Sequence, residues 1–220
     1  MTALRLAHRG DWRRAPENTL PALLAGIQVP GCDGLEFDVR LARDGVPVLL
    51  HDETLARVQG RPERVGDLPA SRLESFGITT LEAALAGVGP RPFLDVELKG
   101  REHGVVTADV LRGHRADNGS RAVVSSFEPD VLRTMRRLLP GWPYWLNTFD
   151  LGPATIMLAA ELGCRGVSAS WRSIDDRSVA RALDAGLEVA AWTVRRRPTY
   201  RRLERLGVLA ICAEGAALDG

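Results

Sequence analysis

What most constrains this chain is a rhythm. Short runs rich in Val, Ile and Leu recur roughly every 25 to 40 residues, each followed by a segment of helical character. Runs at 4–8, 34–40, 93–99, 121–125, 143–147, 166–170, 187–193 and 208–212 read as eight strands. Between them, Thr79 and Glu82 have capping-box spacing, Glu128-Pro129 reads as a helix start after Ser125-Ser126, and Asp175-Asp176 opens a run that ends at Gly186. Strand precedes helix throughout. Eight such units within 220 residues predict a parallel (β/α)8 TIM barrel as a single domain over 1–220. An open doubly wound sheet is the alternative. The stretch from Arg40 to Thr79 breaks the rhythm: Asp44-Gly45 is a turn signal, Val46–Leu50 reads as a short extra strand, and Gly60, Pro62, Gly66 and Pro69 mark loop. This short excursion follows the second strand and so belongs at the barrel's mouth.

Charge narrows the partners. Lys+Arg 29 against Asp+Glu 28 leaves +1, so no global field draws the chain to nucleic acid or an anionic membrane. The arginine groups Arg133, Arg136, Arg137 and Arg195, Arg196, Arg197, Arg201, Arg202 fall mostly in helix-like segments and read as solvated faces, with too few aromatics for base stacking. Three widely spaced cysteines, Cys32, Cys164 and Cys212, fit neither a disulfide framework nor a zinc ribbon and point to a reducing compartment. Without a signal peptide or a long apolar stretch in this sequence, the expectation is a cytoplasmic protein with no stable membrane insertion. The sequence leaves the oligomeric state open.

In a barrel, polar residues that do chemistry collect at the C-terminal ends of the strands. Here the first strand ends in His8-Arg9-Gly10, the second contains Glu36-Phe37-Asp38, the third contains Glu97-Leu98-Lys99, and the seventh ends in Trp192-Thr193. Period-two geometry puts Glu36 and Asp38 on one face, about 7 Å apart along the strand, with Leu35, Phe37 and Val39 on the other. Asp95, Glu97 and Lys99 likewise share a parity. Acids crowded inside a barrel repel one another and are poorly solvated, and a cation resolves the conflict. Glu36, Asp38 and Glu97 form an all-oxygen set suited to a hard divalent cation, Ca2+ or Mg2+, rather than zinc. Ion pairing of these acids with arginines is the structural alternative.

His8, at a strand end, and His51, followed by Asp52 after the extra strand, are the acid–base candidates. Two histidines flanking a metal-bound anion suit phosphoryl displacement, one taking the nucleophile's proton and the other protonating the leaving oxygen. Arg9 adds an anion-binding group. Lys99, the only lysine among the 29 basic residues, places a compact positive charge beside the metal. A Schiff-base role for Lys99 is disfavoured, because neighbouring carboxylates stabilise the ammonium. Trp192 can wall the pocket against an apolar part of a substrate. His103 and His114, in a helix-like stretch, read as surface residues.

With His8-Arg9-Gly10, Glu17-Asn18-Thr19, Glu36-Phe37-Asp38-Val39, His51-Asp52, Glu97-Leu98-Lys99 and Trp192-Thr193-Val194 in that order, the chain resembles the glycerophosphodiester phosphodiesterase family. The resemblance implies a barrel that hydrolyses small-molecule glycerophosphodiesters to glycerol 3-phosphate and an alcohol with a divalent cation. It implies metal binding by Glu36, Asp38 and Glu97, general acid and base roles for His8 and His51, and phosphate contacts from Arg9 and Lys99. It also places Glu17 beside the catalytic centre and lets Asn18 hold the loop, while Thr19 caps the helix that starts at Leu20-Pro21. Family enzymes can use the substrate's own glycerol hydroxyl as first nucleophile, through a cyclic phosphate. The chain departs from the family's pattern at Arg195, where asparagine is common, and at Cys212-Ala213-Glu214-Gly215-Ala216, where an Asp-x-Pro turn is usual. The segment between His51 and Leu81 is also short, which leaves the mouth open to bulky headgroups. Lysophospholipase-D-like hydrolysis of lysolipids and a non-catalytic glycerol-phosphate-binding barrel are the alternatives.

Overall fold

The computed structural model describes residues 2–115, 119 and 121–220. Eight parallel strands close a barrel: β1 (Leu4–His8), β2 (Gly34–Leu41), β4 (Phe93–Leu98), β5 (Ala122–Ser126), β6 (Tyr144–Thr148), β7 (Gly166–Ser170), β8 (Glu188–Val194) and β9 (Ala210–Ala213). Each pairs in parallel with its neighbour, and β1 closes the ring by pairing with both β9 and β2. The strands agree with the sequence expectation to within two residues at each end. The open-sheet alternative is excluded by the closure. β3 (Pro47–Leu49) is the extra strand, antiparallel to β2 and outside the ring.

Why the ring closes here is legible in the packing. Outward residues such as Leu35, Phe37, Leu94, Val96 and Val167 are buried under α1 (Leu20–Ile27), α4 (Leu81–Val88) and the helices that follow. Inward residues split by height. Leu6, Val123, Trp145, Ala190, Ala210 and Cys212 form an apolar plug, whereas the inward positions nearer the C-terminal strand ends are acids, amides and hydroxyls. Gly34 sits where an added Cβ would come within 2.1 Å of the Phe93 carbonyl oxygen on the adjacent strand, so β2 and β4 can approach as they do only with glycine there. The excursion carries its own small core, Ala42, Val48, Leu50, Leu55, Val65, Ala70, Leu73 and Ile78.

Helix ends follow the expected chemistry with one displacement. Thr19 caps α1 by accepting from the Ala22 N–H, and Pro129 opens α6 (Pro129–Leu138). Asp175 and Ser178 form a reciprocal capping box on α8 (Asp176–Asp184). At α4, however, the cap is Thr80, not Thr79. The Thr79 hydroxyl instead accepts from the Leu20 N–H and ties the start of α1 to the start of α4. His103 is also corrected: it lies just before α5 (Val105–Arg115), is buried, and spans from the Lys99 carbonyl to the Thr107 hydroxyl. His114 lies in α5 and pairs with Glu82.

Candidate active site

The polar ends of the strands surround a cavity of about 270 Å³, lined among others by His8, Arg9, Glu36, His51, Glu97, Lys99 and Trp192. A cleft of about 390 Å³ opens elsewhere, among Phe93, Trp145, Arg165 and Glu188, but its one acid is already paired with Arg165. The candidate catalytic side chains gather at the mouth.

The first turn after β1 shows why His8, Arg9 and Gly10 stand together. Arg9 has φ 59° and Gly10 φ 80°, both left-handed, a conformation costly for arginine and free for glycine. A Cβ on Gly10 would lie 2.4 Å from the Ala22 carbonyl of α1, so the turn can sit on that helix only without one. The turn is held by the Arg9 N–H, which donates to the Glu36 backbone carbonyl at 2.7 Å and reaches its carboxylate at 3.2 Å. The arginine side chain then folds inward, with Nε 3.0 Å from Asp38 and Nη1 donating to Glu17 at 2.9 Å. Glu17 thus stands behind Arg9 and also receives Arg57, which bonds Asp52 as well. Asn18, another left-handed residue, donates to the Asp38 carboxylate and accepts from the Asp38 N–H.

Glu36, Asp38 and Glu97 each turn a carboxylate oxygen toward one point, the three atoms lying within 4.8 Å of one another. Register explains the convergence: Asp38 of β2 is directly opposite Glu97 of β4. Glu36 Oε1 is buried with no hydrogen-bond donor among the described residues. Lys99 Nζ is 2.6 Å from Glu97 and 3.2 Å from Asp38. That single ammonium does not balance the cluster. Burial, reinforced by Asp38, pushes Glu36 well above the usual carboxylate range and Glu97 up to about 7. Burial likewise lifts Asp95, which accepts from the Ser125 hydroxyl, to about 7. Asp38, fully buried, is held low against that burial by Arg9 and Lys99. A site short of positive charge, built only of oxygens, and containing an orphaned carboxylate oxygen fits a hard divalent cation.

The two histidines are oriented in the same way by different acids. His8 Nδ1 meets Glu214 at 2.5 Å, and its Nε2 lies 3.3 Å from the Thr193 hydroxyl and 3.6 Å from Glu36. Although burial favours its neutral form, the bonds from His8 and Arg195 hold Glu214 down at about 2. A carboxylate can only accept, so His8 carries its hydrogen on Nδ1 and presents Nε2 to the cavity. His51 Nδ1 meets Asp52 at 2.6 Å, and Arg57 holds Asp52 at about 2. Burial lowers His51 itself below the ordinary histidine value, against the pull of Asp38 and Asp52. Its backbone is fixed by Arg40, whose Nε donates to the His51 carbonyl at 2.9 Å.

Glu214 is the residue whose part the sequence hides. It enters there only as a departure in the last turn, as Arg195 does after β8, yet the structure joins them, with Arg195 Nε donating to Glu214 at 2.7 Å. The available signal was position, since Glu214 directly follows the last barrel strand. Trp192, on β8, donates to the Ser168 carbonyl and packs edge-on against Phe127 and Phe149, a cluster that leaves Phe149 72% exposed at the rim.

The chain matches the sequence profile of the Glycerophosphoryl diester phosphodiesterase family over residues 8–214. It is 27% identical to a glycerophosphodiester phosphodiesterase of Caldanaerobacter subterraneus, across 97% of this chain and 95% of that protein. An Oleispira antarctica phosphodiesterase, solved in complex with the product sn-glycerol-3-phosphate, has a TM-score of 0.85 and 27% identity over 96% of this chain and 93% of that one. A Thermotoga maritima glycerophosphodiester phosphodiesterase shares the fold with a TM-score of 0.84 at 23% identity, covering 100% of this chain and 96% of that one.

Proposed function

The chain belongs to the glycerophosphoryl diester phosphodiesterase family, and from that premise we propose that it hydrolyses glycerophosphodiesters to sn-glycerol 3-phosphate and an alcohol by two-histidine acid–base catalysis. The observation that carries this reading is the meeting of the Glu36, Asp38 and Glu97 oxygens at one point, in a mouth whose cavity is lined by both His8 and His51. A divalent cation such as Ca2+ or Mg2+ held by the three acids would supply charge neutralisation to the diester and acidify a bound hydroxyl.

The chain's own groups divide the remaining work. Arg9 and Lys99 bind the non-bridging phosphate oxygens, Lys99 as a point charge and Arg9 through a guanidinium clamped by Glu17 and Asp38. His51, kept neutral by burial, accepts the proton of the attacking hydroxyl at Nε2. His8, doubly protonated with Nδ1–H bound to ionised Glu214, delivers its Nε2 proton to the departing alkoxide and is left with its hydrogen on Nδ1. Lys99 is unsuited to Schiff-base chemistry: although burial alone would lower its pKa, Asp38 and Glu97 raise it and keep it an ammonium.

The decisive assay is release of glycerol 3-phosphate from glycerophosphocholine and related diesters with Mg2+, Ca2+ or Mn2+, abolished by a chelator. No turnover across such a panel removes the proposal, and binding of metal and glycerol phosphate without hydrolysis replaces it with a binding barrel. A second reading, lysolipid hydrolysis, is favoured by the Phe127, Phe149 and Trp192 cluster, an apolar wall open at the rim. Faster cleavage of lysophosphatidylcholine than of glycerophosphocholine at equal concentration selects it.

A further inference from the structure

Beside the catalytic cavity lies a second one of about 510 Å³, and the two share a wall, since Trp192 and Thr193 line both. Its charged lining is entirely cationic: Arg172, Arg195 and Arg196, with Ser170 at its edge and no acidic side chain among the residues that form it. Their charges are poorly spent inside the protein. Arg172 lies over the Trp171 ring, 4.6 Å from its centroid. Arg195 gives only Nε to Glu214, which leaves both Nη groups without a hydrogen-bond partner among the described residues. The Arg196 side chain makes no hydrogen bond or ion pair among them, its backbone carbonyl alone accepting from the Tyr200 N–H. By contrast Arg9, Arg13, Arg57, Arg61 and Arg64 are each paired with a carboxylate.

The position of this cavity gives the charge a meaning. His8 Nε2 and Thr193 Oγ1 are 3.3 Å apart, and Thr193 is the threshold between the two spaces. A leaving oxygen protonated at His8 Nε2 therefore carries the rest of its alcohol past Thr193 and Trp192 toward the arginines. We propose that this second cavity is the headgroup subsite and that it selects diesters whose alcohol bears an anionic substituent, a phosphate monoester above all. Guanidinium groups suit such a ligand because they present forked donors to its oxygens, and a quaternary ammonium headgroup meets repulsion in the same place. The subsite deepens the phosphodiesterase reading and rests on it.

The test compares kcat/KM for glycerophosphoinositol 4-phosphate, glycerophosphoinositol and glycerophosphocholine, with saturating Mg2+ at low salt. The expected order is the phosphorylated substrate about tenfold or more above its neutral parent, as guanidinium–phosphate pairing allows, with the choline diester last. In the Arg172→Gln, Arg196→Gln double variant that ratio falls toward one, through KM for the phosphorylated substrate. Charge reversal, Arg172→Glu with Arg196→Glu, moves the preference to glycerophosphocholine. Both residues are exposed, and circular dichroism checks that the variants fold. Equal rates for the first two substrates, or a preference that the double variant leaves intact, overturns the subsite. Hydrolysis without preference removes the subsite alone, whereas absence of hydrolysis of all three removes the phosphodiesterase reading beneath it.

Discussion

At the scale of single residues the site is a set of acids doing unlike things because their surroundings differ. Asp38 is held ionised by Arg9 and Lys99, Glu36 and Glu97 are pushed upward by burial and then by the charge of Asp38, and Glu214 and Asp52 are locked as acceptors behind the two imidazoles. Replacing His8 or His51 by alanine is expected to lower kcat by about 10²- to 10⁴-fold while Mg2+ binding by calorimetry persists; a wild-type rate in either variant removes that residue's role. Glu214→Gln keeps the shape but exchanges an ionised acceptor for a neutral amide, and is expected to lower kcat at least about tenfold with KM little changed. For a base that works neutral, activity rises as the proton leaves. Since burial depresses His51, the acid limb of kcat/KM is expected below the ordinary histidine value of about 6.5, and a limb at or above that pH, unaltered in His51→Ala, contradicts the assignment.

At the scale of elements the strands were legible because each carries a short apolar run, and the barrel because a helix stands between each strand of the ring and the next. Parity was enough to put Glu36, Asp38, Glu97 and Lys99 on the inner face, where the structure has them. What sequence could not supply was contact between distant ends of the chain: His8 and Glu214 are 206 residues apart and meet only because β1 and β9 are neighbours in the ring. His103 was misread for a related reason, as its environment is made by Lys99 and Thr107 across a turn rather than by helical periodicity. The Thr79 and Thr80 assignment erred by one residue because both offer a hydroxyl, and only tertiary packing decides that Thr79 serves α1. Thr80→Ala is expected to cost about 1 kcal/mol in urea unfolding as a lost helix cap; no loss there shows that α4 does not depend on it.

At the scale of the whole molecule the barrel keeps an only partly compensated acidic cluster in its interior, and that is a standing cost to the fold without a cation. Ligand that binds only the folded state stabilises it by mass action, about 2.7 kcal/mol at a hundredfold excess over Kd. Melting temperature is accordingly expected to rise with added Mg2+ or Ca2+, and the rise to vanish in Glu36→Gln. An increase that survives this change places the cation elsewhere. Among the described residues no helix is long and apolar enough to cross a membrane.

The small core beneath the excursion has an outcome of its own. His8 is borne by a stave of the closed ring, whereas His51 follows β3, which touches the ring along one edge through β2 and is backed by residues packed on one another. Segments cored separately can open while the remainder stays shut. In rising urea, catalysis should therefore fade ahead of the far-ultraviolet dichroism of the barrel, and amides around Leu50 and Leu55 should exchange with solvent before those of β4: inactivation by loosening a latch, with the house still standing.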